Sequence, residues 1–186
     1  MDADFILVQR MRRGDDAAFE LFINKYYTDI LRYCLYHCFD REEAKDLAQE
    51  TFLEFFKHFR EYIHQGKAKN YLYVIASGKC KDLFRKGKEL PLDPEELALR
   101  MERAEGGGRE AAGFDPEKLA TRITVREGLL SLPEEFREVI VLRYYQELKL
   151  SEIAEILGIG LPLVKYRLKR GKALLDQELR DGGMMG

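Results

Sequence analysis

Three residues that could bind a metal or respond to oxidation lie close together in the sequence. Cys34, His37 and Cys38 are spaced so that two thiols and an imidazole occupy successive turns of one helix. Both groups are ligands that zinc prefers. No second cluster at a comparable spacing supplies the remaining ligands, so we expect these side chains to serve the core and the surface.

Acid–base or nucleophilic catalysis would need a differently arranged set of residues. His58 and His64 have no acid or nucleophile at a recognisable spacing, and the chain has no glycine-rich phosphate loop. A catalytic site needs such groups within reach of one another. We therefore expect no catalytic residue, no cofactor and no bound metal, and the protein is not expected to be an enzyme.

The basic residues form two clusters with few acids among them. The first cluster has seven basic residues and one acid, Asp82, and the second has five basic residues between Pro162 and Leu175 and no acid. Such clusters suit contacts with phosphates. The members are Lys67, Lys69, Lys79, Lys81, Arg85, Lys86 and Lys88 in the first, and Lys165, Arg167, Lys169, Arg170 and Lys172 in the second.

Length and composition limit the architecture that can present these clusters. A chain of 186 residues with 46% apolar content can bury one moderate core or two small ones. It has no apolar run long enough to span a membrane and no basic N-terminal start typical of a signal peptide. Its cysteine count is odd. We expect a soluble cytoplasmic protein with reduced thiols.

Helical periodicity runs through most of the sequence, and no convincing alternating strand is found. Asp40 with Glu43, and Ser131 with Glu134, have the pattern of helix starts. The predicted fold is therefore all-α. The predicted helices are Phe5 to Arg13, Asp16 to Cys38, Arg41 to Phe59, Asn70 to Lys86, Pro116 to Leu130, Leu132 to Tyr145, Ser151 to Leu157 and Leu161 to Leu179.

The pattern is interrupted after residue 86 by prolines, glycines and an excess of acids. We interpret residues 87–115 as a flexible acidic linker that could contain a short helix from Pro94 to Arg103. The predicted domains are then residues 1–86 and 116–180, with a disordered tail at 181–186. The two domains are expected to move independently of each other.

The C-terminal domain contains the spacing of a helix-turn-helix. One short apolar stripe includes Ile153 and Leu157, Gly158 allows a tight turn, and a second stripe includes Val164 and Leu168. Basic side chains lie on the outer face of the second helix. A helix of this kind enters the DNA major groove.

The sequence resembles the extracytoplasmic-function (ECF) sigma factors, the minimal two-domain class of the bacterial RNA polymerase sigma factors. Residues 44–56, AKDLAQETFLEFF, are similar to the signature of sigma domain 2, and residues 69–86 resemble its promoter-reading helix. Residues 132–168 resemble sigma domain 4. The resemblance implies a factor that directs polymerase to specific promoters and assists promoter melting.

The residue pattern of the helix predicted from Arg41 indicates a partner-binding face. Leu53 is a single large apolar residue among polar ones, a composition that suits a protein interface. The resemblance names the clamp helices of the largest polymerase subunit as the partner of this face, and it also implies the polymerase flap and an anti-sigma factor as partners of the protein. The expected polymerase-binding residues are Asp46, Gln49, Glu50, Leu53 and Lys57.

The next helix and the loop before it combine basic and aromatic residues, as an unpaired DNA strand requires. The resemblance implies melting of the minus-10 element and capture of an extruded base here. Tyr71 stands where the family usually has tryptophan, and Gly78 replaces a common asparagine. The expected minus-10 residues are Lys67, Lys69, Asn70, Tyr71, Ser77, Lys81 and Arg85.

The recognition helix departs from the family at its start, where residues 160–163 replace a usually polar opening. We therefore expect residues after the helix start, rather than the start itself, to contact double-stranded DNA. The expected minus-35 residues are Lys165, Tyr166, Arg167, Lys169 and Arg170.

Two other functions remain compatible with parts of the pattern. One is a helix-turn-helix transcriptional activator whose N-terminal half is a sensing or dimerising domain. The other is a helical adaptor that binds only protein.

Overall fold

A computed structural model describes residues 3–38, 40–89 and 125–183, and every described element is helical. The N-terminal half contains α1 (Ala3–Arg12), α2 (Asp16–Leu35), α3 (Arg41–Lys57) and α4 (Ala68–Glu89). The C-terminal half contains α5 (125–131), α6 (Glu134–Ile140) with a π-helical turn at Val141–Tyr145, α7 (Leu150–Leu157) and α8 (Leu161–Gly183). The predicted all-α fold is confirmed. None of the described helices is long and apolar enough to cross a membrane.

The N-terminal half is built around an aromatic core. α2 packs against α1, α3 and α4, and α3 packs against α4. Phe22 of α2 stacks on Phe55 of α3 with ring centroids 4.9 Å apart, and Leu72 of α4 is buried in the same core. Asp40 begins α3 as predicted, because its carboxylate accepts a hydrogen bond from the Glu42 amide at 3.0 Å.

The C-terminal half contains the predicted helix-turn-helix in α7 and α8. Gly158 has a φ of +64°, a left-handed conformation that glycine adopts without strain, and it turns the chain between the two helices. Gly171 lets α8 approach α6 closely, since a Cβ there would lie 3.0 Å from Ile140 Cδ1 and 3.3 Å from the Phe136 carbonyl oxygen. A larger residue at 171 would therefore push the two helices apart.

Several boundaries differ from the sequence prediction. Ser131 does not start a helix: its hydroxyl donates to the Gly128 carbonyl at 2.8 Å, so it ends α5, and α6 begins at Glu134 after Pro133. Helix α4 continues to Glu89, three residues beyond the predicted domain end, and α8 continues to Gly183, into the predicted tail. The rest of the predicted linker, the short helix 94–103 and the start of the helix predicted from Pro116 lie outside the described residues.

The two halves contact each other in the structure. α4 packs against α7, and the Tyr36 ring lies 4.0 Å from the Tyr145 ring. The Arg126 guanidinium donates to the carbonyl oxygens of Leu35 and Cys38 at 3.0 and 2.8 Å. Polar and aromatic side chains on the helices thus join the two halves in a closed arrangement. Independent motion of the two domains stays a prediction.

The cysteines and His37 lie inside this closed arrangement. Cys34, Cys38 and Cys80 are buried free thiols. A hydrogen bond with Cys34, together with burial, raises the pKa of Cys80, and burial raises that of Cys38. Thiols with raised pKa values are poor nucleophiles and poor metal ligands. No group of three acidic, histidine or cysteine side chains in the described part of the chain could hold a metal.

His37 is a buried histidine whose ring centroid lies 4.4 Å from that of Tyr33. Burial, followed by the charges of Arg137 and Lys81, lowers the pKa of His37 well below 6.5. The imidazole is therefore neutral in the folded protein at neutral pH. Unfolding would raise its pKa, so the unfolded chain binds an additional proton below about pH 6.5.

We therefore predict that the protein loses stability as the pH falls below about 6.5, with a slope from His37 of at most about 1.4 kcal/mol per pH unit. His37→Phe keeps a ring beside Tyr33 and should remove this part of the slope, measured by urea unfolding between pH 7.5 and 5.5. Leu21→Ser, which changes an exposed residue that does not titrate, is the control and should keep the wild-type slope. Identical slopes in His37→Phe and wild type would contradict the prediction.

Candidate functional site

The five residues predicted to bind polymerase are exposed on one side of α3. Leu53 has 60% of its surface exposed. The opposite side of the helix is buried, because Ala44, Leu47 and Phe55 pack into the N-terminal core. The exposed set is Asp46, Gln49, Glu50, Leu53 and Lys57. The structure thus presents an apolar centre with a polar and charged rim on an ordered helix.

An open cleft of about 440 Å³ lies between the loop before α4 and helix α7. Tyr71, the residue predicted to stack on a base, lines this cleft and is itself stacked on Tyr62, with ring centroids 5.2 Å apart. Val74 lines the N-terminal wall, and Glu155 and Ile156 of α7 line the other. An aromatic pair in a cleft is a surface that could stack with a flat, unpaired base.

Three of the predicted minus-10 residues are either buried or paired with the C-terminal half. Ser77 is only 4% exposed, and its hydroxyl donates to the Glu138 carboxylate of α6. The Lys81 ammonium lies 3.2 Å from the same carboxylate, and Asn70 is also buried. Tyr73 of the same helix is fully buried, and its hydroxyl donates to Gln146 at 2.7 Å.

The other basic residues of this cluster differ in their availability. Lys67 is exposed and forms an ion pair with Glu155 at 2.7 Å, while Arg85 is exposed beside Asp82. The Lys69 ammonium lies 2.6 Å from the Asp29 carboxylate. Lys79, which we counted in the basic cluster, is paired with Glu54 and Glu50 of α3. These four basic side chains therefore already pair with acidic side chains of the protein itself.

The predicted minus-35 surface is open except at one residue. Lys165, Tyr166, Lys169 and Arg170 are exposed on α8, opposite the buried side that packs on the C-terminal core. Arg167 is partly buried, and its guanidinium lies 4.0 Å from the Glu135 carboxylate. Arg167 therefore faces α6 rather than the outer surface.

The sequence did not reveal the hydrogen-bond acceptor that joins the two halves. Glu138 is 3% exposed and accepts hydrogen bonds from Ser77 and, at 3.3 Å, from Tyr33. Its position on a helix rich in charged residues gave no signal that it would be buried. Tyr62 was also missed, since its loop has no periodicity, and only its nearness to the basic cluster could have indicated a role.

The sequence matches two family models in the expected order. Residues 22–89 match Sigma-70 region 2, and residues 122–175 match Sigma-70 region 4. The chain is 32% identical over 178 residues to the ECF RNA polymerase sigma factor SigW of Bacillus subtilis, covering 94% of this chain and 95% of SigW. The chain belongs to the ECF sigma factors.

Further comparisons agree with this family. The chain is 29% identical to the RNA polymerase sigma-H factor of Pseudomonas aeruginosa, covering 96% of this chain and 95% of that protein. Its fold resembles CnrH in complex with the cytosolic domain of CnrY (TM-score 0.71, 22% identity, 97% and 99% covered). It also resembles RpoE of Bartonella quintana in complex with the anti-sigma factor NepR (TM-score 0.65, 18% identity, 87% and 96% covered).

As an ECF sigma factor, the protein directs RNA polymerase to specific promoters and takes part in transcription initiation. The activator alternative is not supported, because the N-terminal half matches Sigma-70 region 2 rather than a sensing or dimerising domain. In the closed arrangement, Ser77 and Lys81 of the region 2 half contact Glu138 of the region 4 half.

We predict that Glu138→Ala opens the closed sigma factor. Tyr33, Ser77 and Lys81 would lose a shared acceptor, which destabilises the contact by about 1–3 kcal/mol. Cysteines introduced at the exposed positions Arg60 and Ala173 carry the dyes. The three native thiols, which are buried only while the halves are closed, are replaced by Ala in every protein compared. Energy transfer between the two dyes should fall in Glu138→Ala.

Glu155→Ala is the matched control, since it removes an acid that also bridges the halves but in an exposed pair. Such a pair contributes about 0.2–1 kcal/mol, so the transfer efficiency should change little. Circular dichroism would verify that both variants stay folded. Equal transfer in wild type and Glu138→Ala would show that this carboxylate does not hold the closed arrangement.

Proposed function

We propose that this sigma factor divides its work among three surfaces. The exposed side of α3 binds the clamp helices of core polymerase, α8 reads duplex DNA at the minus-35 element, and α4 with the preceding loop binds the opened minus-10 element. The observation that carries the proposal is the pairing, in one chain, of an open basic helix-turn-helix with an aromatic cleft beside a basic helix. Residues 1–86 and 116–180 act as the two functional domains.

The proposed polymerase contact follows from the composition of the α3 face. A large exposed leucine surrounded by polar side chains can be desolvated by a partner while its rim stays hydrated. Asp46, Gln49, Glu50 and Lys57 supply that rim. The flap of the polymerase is the proposed second contact, made by the C-terminal half.

The proposed DNA contacts require the two halves to separate. Ser77 and Lys81 share the buried Glu138 carboxylate, an anion that would compete with a DNA phosphate for the same two donors. A like-charged phosphate cannot share that site with the carboxylate. Binding to core polymerase would hold the halves apart, and Asn70, Ser77 and Lys81 would then face the DNA.

An anti-sigma factor is part of the proposal. CnrH and RpoE, which share the fold, were each solved in complex with another protein, and the one bound to RpoE is an anti-sigma factor. A partner that stabilised the closed arrangement would keep Ser77 and Lys81 from DNA. The proposal includes no catalytic step by this protein and places it in the cytoplasm with polymerase, which forms the phosphodiester bonds.

Leu53→Asp should weaken binding to core polymerase by at least about tenfold, because it replaces an apolar contact with a charge. Competition against labelled wild-type protein for core polymerase measures the effect. Leu21→Asp is the matched control, as Leu21 is another exposed leucine, on α2, and its replacement should leave the affinity unchanged. Both variants should keep the wild-type melting temperature.

The functional readout is promoter-specific transcription by core polymerase with the added protein. Wild type and Leu21→Asp should initiate from specific sites, and Leu53→Asp should do so only at raised concentration. Wild-type affinity in Leu53→Asp would show that the contact lies elsewhere. A requirement for a second sigma factor would contradict the proposed function.

The two DNA surfaces should be separable by mutation. Lys165→Ala with Lys169→Ala should weaken binding to a minus-35 duplex and spare a premelted bubble, since each base contact is worth roughly 1–3 kcal/mol. Tyr71→Ala with Lys81→Ala should leave duplex docking intact and impair melting, because an aromatic stack contributes about 1–3 kcal/mol per base. Permanganate reactivity of unpaired thymines measures the melting. The same defect in both double variants would refute the division.

A further inference from the structure

The first turn of α8 exposes an unusual set of apolar side chains. Leu161 and Leu163 are each 40% exposed, and Tyr166, one turn later, is 59% exposed. Pro162 is exposed between the two leucines. Exposed apolar groups that lie close together on a surface commonly mark a binding site. Here they stand at the start of the helix whose proposed role is to read duplex DNA.

This helix start has few groups that could form hydrogen bonds with bases. Gly160 has no side chain, and its carbonyl oxygen already accepts from the amides of Leu163 and Val164 at 3.0 and 3.1 Å. Pro162 has no amide hydrogen to donate. The first turn therefore offers a DNA partner mainly van der Waals contact.

Leu163 and Tyr166 lie on the same side of α8. Residues three apart are neighbours on a helix surface, and Arg170 continues the same row one turn later. The opposite side is fixed in the core by Val164 and Leu168, which are buried. Leu161 lies about 200° around the helix from Leu163, because successive residues are about 100° apart.

The apolar pair is surrounded by positive charge. Lys165, Lys169 and Arg170 are exposed around it, and no acid occurs between residues 161 and 175. This combination fits duplex DNA, in which phosphates lie at the rim of the major groove and bases lie inside it. The apolar group that bases display in the major groove is the 5-methyl of thymine.

We propose that Leu163 and Tyr166 recognise T·A pairs of the upstream promoter element through the thymine methyl groups. This inference rests on the proposed role of α8 as the duplex-reading helix. The lysines and Arg170 then supply phosphate attraction, while the apolar pair supplies sequence preference. Specificity at these positions comes from a contact that needs no hydrogen bond.

Replacing thymine by deoxyuridine tests this directly, because the change removes the methyl and keeps every hydrogen-bonding group. The probe is a duplex selected from a randomised library by core polymerase carrying the full-length protein. Its upstream element is then remade with deoxyuridine. Wild-type holoenzyme should bind the remade duplex about three- to fourfold more weakly for each contacted methyl.

The variants locate the contact on the helix. Leu163→Ser and Tyr166→Ser should each bind the thymine and deoxyuridine duplexes with more nearly equal affinity than wild type does. Leu161→Ser, which alters a leucine of the same exposure in the same turn, should keep the full wild-type ratio. All three positions are exposed, and circular dichroism would check that the variants remain folded.

Equal wild-type affinity for the two duplexes would overturn the proposal, as would a selected upstream element without thymine. An unchanged ratio in both Leu163→Ser and Tyr166→Ser, or a ratio lost in Leu161→Ser, would overturn the residue assignment. These results are distinct from failure of the proposed function. In that case the holoenzyme would select no shared upstream sequence at all.

Discussion

The closed arrangement of this sigma factor depends on satisfying one buried carboxylate. Glu138 belongs to the C-terminal half, but the donors that contact it, Tyr33, Ser77 and Lys81, all belong to the N-terminal half. A buried charge without such partners would be strongly unfavourable. The carboxylate is therefore stable either in this contact or in water, and intermediate positions of the two halves are disfavoured.

The polar part of this contact suits the opening that the proposed DNA binding requires. An apolar interface of the same size would expose hydrophobic area on opening and would favour aggregation or permanent closure. In the closed protein Tyr73 donates to Gln146, and Lys67 pairs with Glu155. Under the proposed function, Lys67 would exchange its carboxylate partner for a DNA phosphate, and Glu155 and Gln146 would exchange their partners for water.

The sequence predicted most of the helices and the exposed sides of α3 and α8 because both follow from periodicity. The alternation of buried and exposed residues along α3 separated Leu47 and Phe55 from Leu53, and the structure has the same separation. Periodicity, however, shows only which side of a helix faces the core of its own domain. It could not show that a second half covers Ser77 and Tyr73, nor that Ile156 is buried where α7 faces α4.

The boundaries that were wrong have local causes. Ser131 has the residue type of a helix start, but its hydroxyl bonds backwards to Gly128, and Pro133 delays the next helix to Glu134. A sequence pattern cannot distinguish a serine that ends one helix from a serine that begins another. The candidate DNA-binding lysines show the same limit of a sequence pattern. Lys69 is paired with Asp29 and Lys165 is exposed, but nothing in the sequence distinguishes the two.

The internal ion pairs also change how the protein responds to salt. A lysine that binds DNA normally contributes to affinity because the phosphate releases a condensed cation. Under the proposed roles, Lys67 and Lys81 first leave the carboxylates of Glu155 and Glu138, which then gather counterions of their own. Part of the ion release is thereby offset. The promoter affinity of this protein should consequently depend on ionic strength less steeply than its number of phosphate contacts alone would require.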